Sequence, residues 1–265
     1  MRKIAPNFKE KYGPWAVIAG ASDGTGRAFT HRVAATGINC VIIARRGEVL
    51  EELAQEVRSQ YGVECAPAAI DLSTSDAFDK TVEAVGTREV GLFISNAGSD
   101  PNGSHFLDKD IDPWMDLVSR NVLTNMRCVH HFGGLMRQRR KGGLLLVGSA
   151  AGYGGARFMA VYSATKAFVW CLAESLWSEL RPHNVDVLYI ALVATDTPFL
   201  RNLLEEKGQK PMRAASSPDD VAQKGLANLG NGPVFDLLRL IGIRGTWRRA
   251  RVQLISRLGK RTFGE

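Results

Sequence analysis

The chain is predicted to fold as a single α/β domain, a doubly wound parallel sheet with helices on both faces. Three observations predict it. Short strand-like runs alternate with helix-like runs from residue 15 to residue 191, and alternation of this kind buries parallel strands between helices. The first strand-like run, Trp15-Ala16-Val17-Ile18-Ala19, passes through a glycine-rich turn straight into a helical run. The chain has 265 residues, 45% of them hydrophobic, enough for one sizeable core with no second domain required.

The elements follow in order. Trp15 to Ala19 reads as a short buried strand, and the turn Gly20-Ala21-Ser22-Asp23-Gly24-Thr25-Gly26 leads into the helical run Arg27 to Thr36. Glycines suit that turn because the backbone must bend tightly and let a pyrophosphate approach amide N–H groups at the positive end of a helix. An ordinary glycine loop is the plainer reading. Asn39 to Ala44 is the next strand, Glu48 to Gln60 a helix, Glu64 to Ile70 a strand and Ser75 to Val85 a helix. Leu144 to Gly148 and Val185 to Ala191 are later strands. In such sheets ligands bind beyond the carboxyl ends of the strands. The glycine turn, Asn96 and Ser149 all fall there.

The end of the second strand bears on the ligand. In Val41-Ile42-Ile43-Ala44-Arg45-Arg46, a site selecting NAD would place Asp or Glu to accept both ribose hydroxyls. Ala44 removes that acid, and Arg45 or Arg46 can grip a 2′-phosphate through a charge-assisted, bidentate contact. The other reading is that both arginines begin the next helix and point to solvent. NADP(H) is the favoured cofactor.

Chemistry is suggested by Tyr162-Ser163-Ala164-Thr165-Lys166, thirteen positions after Ser149, at the start of an apolar helical run. Residues i and i+4 share a helix face, so the Lys166 ammonium can stand beside the Tyr162 phenol and favour its ionised form. The phenol then serves as acid and base. Alone, a Tyr-x-x-x-Lys occurs by chance on many helices, and Ser149 alone is a turn hydroxyl.

Together these motifs resemble the short-chain dehydrogenase/reductase family, whose fingerprint is Gly-x-x-x-Gly-x-Gly at the first turn and Ser, Tyr and Lys at the chemistry. Gly20, Gly24 and Gly26 match it, Asn96-Ala97-Gly98 behind Leu92-Phe93-Ile94-Ser95 matches the family's Asn-Ala-Gly after the fourth strand, and Asn121 matches its helix asparagine. The likeness spans about Tyr12 to Leu229. It is greatest to the 17β-hydroxysteroid dehydrogenase and 3-ketoacyl-CoA reductase branch, through Lys11-Tyr12-Gly13-Pro14-Trp15-Ala16-Val17 and Tyr162-Ser163-Ala164-Thr165-Lys166-Ala167-Phe168. The resemblance implies a Rossmann-type fold and hydride transfer between a nicotinamide cofactor and a carbonyl. Tyr162 would donate the proton, Ser149 would hold the carbonyl oxygen, and Lys166 would also bind the nicotinamide ribose. Asn121 would hold a water leading from Lys166 to solvent, and Asp71-Leu72 would contact the adenine, although Asp71 could equally cap the following helix. One departure stands out. Relatives place Pro-Gly ahead of a threonine after the sixth strand, where this chain has Leu192-Val193-Ala194-Thr195-Asp196-Thr197. Thr197 keeps the threonine for the carboxamide or pyrophosphate, and Val193 and Thr195 line the same loop; Val193 does not readily take a positive φ.

Composition excludes other classes. Cys40, Cys65, Cys128 and Cys171 are widely spaced and read as core thiols of a reducing cytoplasm. The five histidines offer only His130-His131, which points about 100° apart on a helix, so no metal is expected. No apolar run reaches membrane-spanning length, and Met1 to Pro14 lacks the stretch of a secretory signal. A soluble, cytoplasmic protein is expected. The net charge of +7 is local: Arg239 to Arg261 holds eight Lys or Arg and no acid, leaving the rest at about −1, which argues against nucleic acid. Trp247, Val252, Leu254, Ile255 and Leu258 interrupt that tail. It either packs beside the substrate cleft, the preferred reading, or lies as a peripheral contact on an anionic membrane surface. Arg137, Arg139, Arg140 and Lys141 end a helix, where cations suit the dipole.

The division expected is a catalytic, NADP-binding domain over residues 1–230, with a substrate lid at about 195–217, and a basic extension over residues 231–265. Leu200, Leu203, Leu204 and Met212 make the lid apolar. The leading function is an NADP(H)-dependent oxidoreductase interconverting a ketone and a secondary alcohol on a bulky apolar substrate: a steroid, a fatty acyl ketone or an aromatic ketone. The alternative is a sensor or scaffold that binds NADP(H) without turnover; retention of Ser149, Tyr162, Lys166 and Asn121 favours catalysis. The resemblance also implies a homodimer or homotetramer built on helices around Asn121 to Arg140 and Tyr162 to Arg181.

Overall fold

The structure, a computed structural model, describes residues 3–206, 208–210, 212 and 215–237. Seven parallel strands form one sheet in the order β3-β2-β1-β4-β5-β6-β7. They are β1 (Trp15–Ala19), β2 (Asn39–Ala44), β3 (Cys65–Ala69), β4 (Val90–Ser95), β5 (Gly142–Ser149), β6 (Val185–Leu192) and β7 (Val234–Asp236). The helices are α1 (Phe8–Tyr12), α2 (Gly24–Ala34), α3 (Gly47–Tyr61), α4 (Ala77–Val85), α5 (Asp112–Val118), α6 (Asn125–Arg139), α7 (Ala160–Leu180), α8 (Pro198–Glu206) and α9 (Pro218–Asn228). The sheet is doubly wound as the sequence predicts.

Successive strand residues face opposite ways, so each strand feeds two cores. Ala16, Ile18, Ile42, Leu92, Ile94, Leu188 and Ile190 pack with Phe29 and Val33 of α2, Leu50, Leu53 and Val57 of α3, and Val221 of α9. Val17, Val41, Ile43, Phe93, Leu144, Leu146 and Tyr189 pack with Phe132 and Met136 of α6 and Val169, Ala173 and Trp177 of α7. Burial on both faces explains why these strands read as unbroken apolar runs rather than alternating ones.

Strand order reverses between β1 and β4, and the functional segments meet at that point. Asn96 N and Ala97 N both donate to Ala19 O, at 3.0 and 2.8 Å, tying the loop after β4 to the turn after β1.

Several details depart from the sequence reading. Helix α2 begins at Gly24, because Asp23 caps it by accepting from Gly24 N at 2.6 Å. The polar segment before β1 contains α1, whose Phe8 and Tyr12 are buried on one face, the Tyr12 hydroxyl donating to Asp186 at 2.6 Å. The seventh strand lies beyond residue 230, inside the segment the sequence assigns to the basic extension. At three residues behind Pro233 it carries no periodic signal. Residues 238–265, with the basic tail, lie outside the described residues.

Three cysteines are buried, with Cys40 and Cys65 in register on β2 and β3, but Cys171 is exposed on α7 and is no core thiol. His131 packs edge-on against Phe78, while His130 is exposed. Among the described residues no group of three or more His, Cys, Asp or Glu is placed to hold a metal ion, and no helix is long and apolar enough to cross a membrane.

Candidate active site

The glycine turn is shaped by close approach. Gly20 has φ 83°, and a Cβ there would lie 2.6 Å from Ala97 N. A Cβ on Gly26 would lie 1.9 Å from Gly20 O, so only glycine lets α2 start against the turn. The Asn96 side chain closes the arrangement, Nδ2 donating to Gly20 O at 2.8 Å. Thr25 is buried within the same turn, and Ser22 and Asp23 at its rim lie 3.4 Å from Arg46 Nη2.

Arg45 and Arg46 follow β2 with exposed side chains; Arg46 is the residue just before α3 and its backbone is extended. Asp71 does not cap the next helix: its Oδ1 accepts from Ser73 N and Ser73 Oγ at 3.0 and 2.8 Å, and the residue preceding α4 is Asp76. Burial raises the Asp71 carboxyl, but the Ser73 hydrogen bonds, with help from Arg45 and Arg120, outweigh it and hold the carboxyl below its ordinary value. Leu72 beside it is buried. Asp71, Arg45 and Arg120 therefore form one charged cluster beyond β2 and β3. Arg120 has no separate sequence signal beyond standing next to Asn121. Its Nη2 donates to Ser99 O at 2.9 Å, while its Nε is buried without a partner.

The chemistry-bearing residues converge from three elements. Ser149 ends β5, Tyr162 and Lys166 lie on the first turns of α7, and Asn121 sits in a π-helical turn, Ser119–Thr124, between α5 and α6. The sequence reads a plain helix there; the wider turn is a common device at functional sites. Asn121 Nδ2 donates to Thr165 Oγ1 at 3.1 Å, and its Oδ1 is buried without a partner. A Cβ on Gly98 would lie 2.7 Å from Lys166 Nζ and 3.1 Å from Asn121 Oδ1, which places Gly98, Asn121 and Lys166 around one spot.

Tyr162 is half-buried, with the Ser149 side chain beside its phenol. Burial pushes the phenol up, the Ser149 hydrogen bond pulls it down, and Asp100 raises it further; the net direction is up. This corrects the expectation of a phenol lowered by Lys166. Lys166 Nζ stands 5.6 Å from the Tyr162 ring centroid but donates to Val147 O at 3.1 Å. The lysine is itself buried, which, with repulsion from Arg120, lowers it from 10.5 to about 8.

That shift carries a stability consequence. Between about pH 8 and 10.5 the unfolded chain binds a proton at Lys166 that the folded chain does not, so this residue's contribution makes folding more favourable as pH rises through that window. Below it the folded state bears the full cost of a buried charge. Lys166→Met is expected to be more stable than the parent at pH 7, with the gap closing by about pH 10. Urea unfolding of both proteins across that range checks it, and a pH-independent gap refutes it.

After β6 the loop does without Pro-Gly. Val193 is not among the residues with positive φ, so the loop does not ask of it the backbone conformation that a β-branched residue resists. Thr195 is buried and pairs with Ser216 in an isolated bridge. Thr197 Oγ1 accepts from Leu200 N at 3.2 Å at the start of α8, and a Cβ on Gly24 would lie 2.7 Å from its methyl carbon, so this lid residue sits directly on the glycine turn. No residue of α8 is buried, so Leu200, Leu203 and Leu204 form a thin cover rather than core; Lys207, Pro211, Arg213 and Ala214 of the lid lie outside the described residues.

These observations fit a dinucleotide phosphate: the cradle at Gly20 and Gly26 that any side chain would fill, α2 opening toward it, exposed arginines at the end of β2, and the orphaned Asn121 Oδ1 beside Lys166. Sequence reasoning missed Arg120, Asp100 beside Tyr162, Thr165 as partner of Asn121, and Tyr189, whose hydroxyl contacts the Ser149 backbone. Each acts through a neighbour distant in the chain, and only a tyrosine inside the apolar run of β6 was there to signal the last.

Residues 14–208 match the family model of the short chain dehydrogenases. The 7beta-hydroxysteroid dehydrogenase of Clostridium sardiniense is 32% identical over 225 residues, 84% of this chain and 85% of that one. The very-long-chain 3-oxoacyl-CoA reductase of Laccaria bicolor is 33% identical over 226 residues, 84% of this chain and 65% of that one. A short-chain dehydrogenase from Sphingobium yanoikuyae, solved in complex with NADPH, superposes with a TM-score of 0.80 at 25% identity, covering 92% of this chain and 95% of that one. Glycine turn, Asn-Ala-Gly, and the Ser149, Tyr162 and Lys166 constellation in its expected order agree with that match over most of its length: the chain belongs to the short-chain dehydrogenase family of oxidoreductases.

Proposed function

We propose that this protein is an NADP(H)-dependent oxidoreductase that interconverts a ketone and a secondary alcohol on a bulky apolar substrate. The observation that carries the reading is the Tyr162 phenol, with Ser149 beside it and Lys166 Nζ 5.6 Å from its ring centroid. When bound, the reduced nicotinamide supplies the hydride. Tyr162, kept protonated by burial, donates to the carbonyl oxygen as negative charge develops on it. Ser149 gives the second hydrogen bond and orients the carbonyl. Lys166 and Asn121 hold the proton path behind Tyr162. In oxidation Tyr162 accepts the alcohol proton.

Size and polarity of the substrate follow from the apolar lid residues Leu200, Leu203, Leu204 and Met212 and from the relatives, named for hydroxysteroids and very-long-chain 3-oxoacyl-CoA. The cofactor choice follows from Arg45 and Arg46 where an acid would select NAD. Exposed Leu123, Met126 and Leu135, in the π-helical turn and α6, and Phe168 on α7 support assembly as a homodimer or homotetramer.

The test is oxidation of NADPH and of NADH, followed by absorbance, with a panel of steroid, acyl and aromatic ketones. Turnover that prefers NADPH and a large ketone bears the reading out; tight NADPH binding with no turnover in either direction supports a sensor or scaffold instead. Within the reading, Arg45→Ala with Arg46→Ala is expected to lower kcat/KM for NADPH by roughly 10- to 100-fold, as for lost charge-assisted hydrogen bonds. Values for NADH should move less than about threefold. Equal losses with both cofactors would remove the arginines from 2′-phosphate recognition.

A further inference from the structure

Tyr189 lies in the middle of β6 with no exposed surface, yet its hydroxyl makes three hydrogen-bond contacts. Ser149 N donates to it at 2.9 Å, and it lies 3.0 Å from Ser149 O and 3.3 Å from Lys166 O, so its single proton is shared between those two carbonyls. The ring reaches them past Gly148. A Cβ on Gly148 would lie 1.8 Å from Tyr189 Cζ and 2.2 Å from its oxygen, so a residue without a side chain is required there. The 3₁₀ turn Ala150–Tyr153 packs on the same place: a Cβ on Gly152 would lie 2.8 Å from Lys166 C. Ser149 Oγ accepts from Ala151 N at 3.1 Å, so the hydroxyl is aimed from the backbone that Tyr189 holds.

We propose that Tyr189 is a positioning residue for the reaction: its hydroxyl locks the Ser149 backbone against α7 at Lys166, keeping the Ser149 hydroxyl within reach of Tyr162, with Gly148 as the complement that admits the ring. This rests on the role given above to Ser149, Tyr162 and Lys166. Buried backbone groups at a strand end need partners, and a rigid aromatic tether supplies one without the freedom of a water. The same three contacts span β5, β6 and α7, the elements that carry Ser149 and Lys166. A proton donor to a developing oxyanion acts only while its distance is held.

The experiment compares Tyr189→Phe, Ser149→Ala and the double variant, using a ketone and alcohol pair that the parent protein turns over. The phenylalanine keeps the ring and removes only the hydroxyl. Expected in Tyr189→Phe are a kcat about tenfold lower, a mispositioned donor costing less than an absent one, and NADPH affinity within about twofold. Tyr162 would lose part of the hydrogen bond that lowers it, so the acid limb of kcat for alcohol oxidation moves to higher pH. The other titratable groups around Tyr162 and Tyr189 are Asp100, Lys166, Tyr153 and Cys171, all unchanged by the substitution. In the Ser149→Ala background the same change should cost less than about twofold, since the two act through one hydroxyl.

Unchanged kcat and pH limb in Tyr189→Phe, or a loss that multiplies fully onto Ser149→Ala, overturns the proposal and leaves Tyr189 a packing residue. Should Tyr189→Phe not fold, Gly148→Ala displaces the ring instead and is expected to produce the same signature; parent-like kcat and pH limb in a folded Gly148→Ala protein overturns it equally. The underlying reading fails separately, by the absence of Tyr162-dependent turnover in the parent protein.

Discussion

Tyr162→Phe is expected to lower kcat/KM for ketone reduction by roughly 10²- to 10⁴-fold, the span of a lost general acid, while NADPH affinity stays within about twofold. Phenylalanine preserves the half-buried ring and its place on α7, so the change isolates one hydroxyl. That hydroxyl lies beside Ser149, and the ring stands by the buried Lys166. Removing it leaves Ser149 to polarise the carbonyl but gives the oxyanion no proton. Because burial raises the phenol, the parent protein should hold its reduction rate across neutral pH and lose it only at high pH as Tyr162 ionises. The high-pH limb should vanish from the residual activity of the variant. Steady-state rates over pH, with cofactor binding measured by fluorescence, check both parts. Reduction within tenfold of the parent would take Tyr162 out of the acid role and move attention to the Asp100 loop.

The second large effect is expected at Gly26→Ala. One methyl group is added, but it would stand 1.9 Å from Gly20 O, a backbone atom, and 2.7 Å from Asn96 Nδ2, which is hydrogen-bonded to that oxygen. The Gly20 carbonyl cannot rotate away, and Asn96 moves only by giving up its hydrogen bond to it. Either α2 withdraws from the turn or the turn opens, and the Asn96 hydrogen bond to Gly20 breaks in both cases. Overpacking of this severity costs about 3 kcal/mol, a Tm lower by roughly 6 to 12 °C for a chain of this size. NADPH affinity should fall by more than about 100-fold, since the amide groups at the start of α2 no longer face the pyrophosphate. Thermal melts with and without NADPH measure both; in the variant the cofactor should no longer raise Tm. A protein that melts with the parent and is still stabilised by NADPH would mean that the turn does not hold the pyrophosphate.

Much of this is legible in the amino-acid sequence. The doubly wound sheet could be read because buried parallel strands are continuous apolar runs, and Trp15–Ala19, Asn39–Ala44 and Val185–Leu192 announce themselves within one element. The glycine turn and the Tyr162 and Lys166 pair are equally local, each residue defined by neighbours within one turn or one helix face. Elements with weak local signal were missed or misread: α1 with its two buried aromatic residues, the π-helical turn around Asn121, and the three-residue β7. In each, contacts made elsewhere in the fold outweigh local preference.

Ser149, Tyr162, Lys166, the glycine turn and the arginines after β2 were thus written in the linear chain, because chemistry at this kind of site needs particular groups at particular short spacings. Their electrostatics were not. Whether the Tyr162 phenol is raised or lowered depends on how far burial outweighs its partners. Burial is a property of the packed layers, and it reversed the direction that the Tyr162 and Lys166 spacing suggested. The joining of Asp71, Arg45 and Arg120 into one cluster, the seating of Thr197 on the glycine turn and the grip of Tyr189 on Ser149 were likewise set by the fold alone. They link residues that lie 26 to 173 positions apart in the sequence, and only the strand order that puts β1 beside β4 and β5 beside β6 brings such residues together.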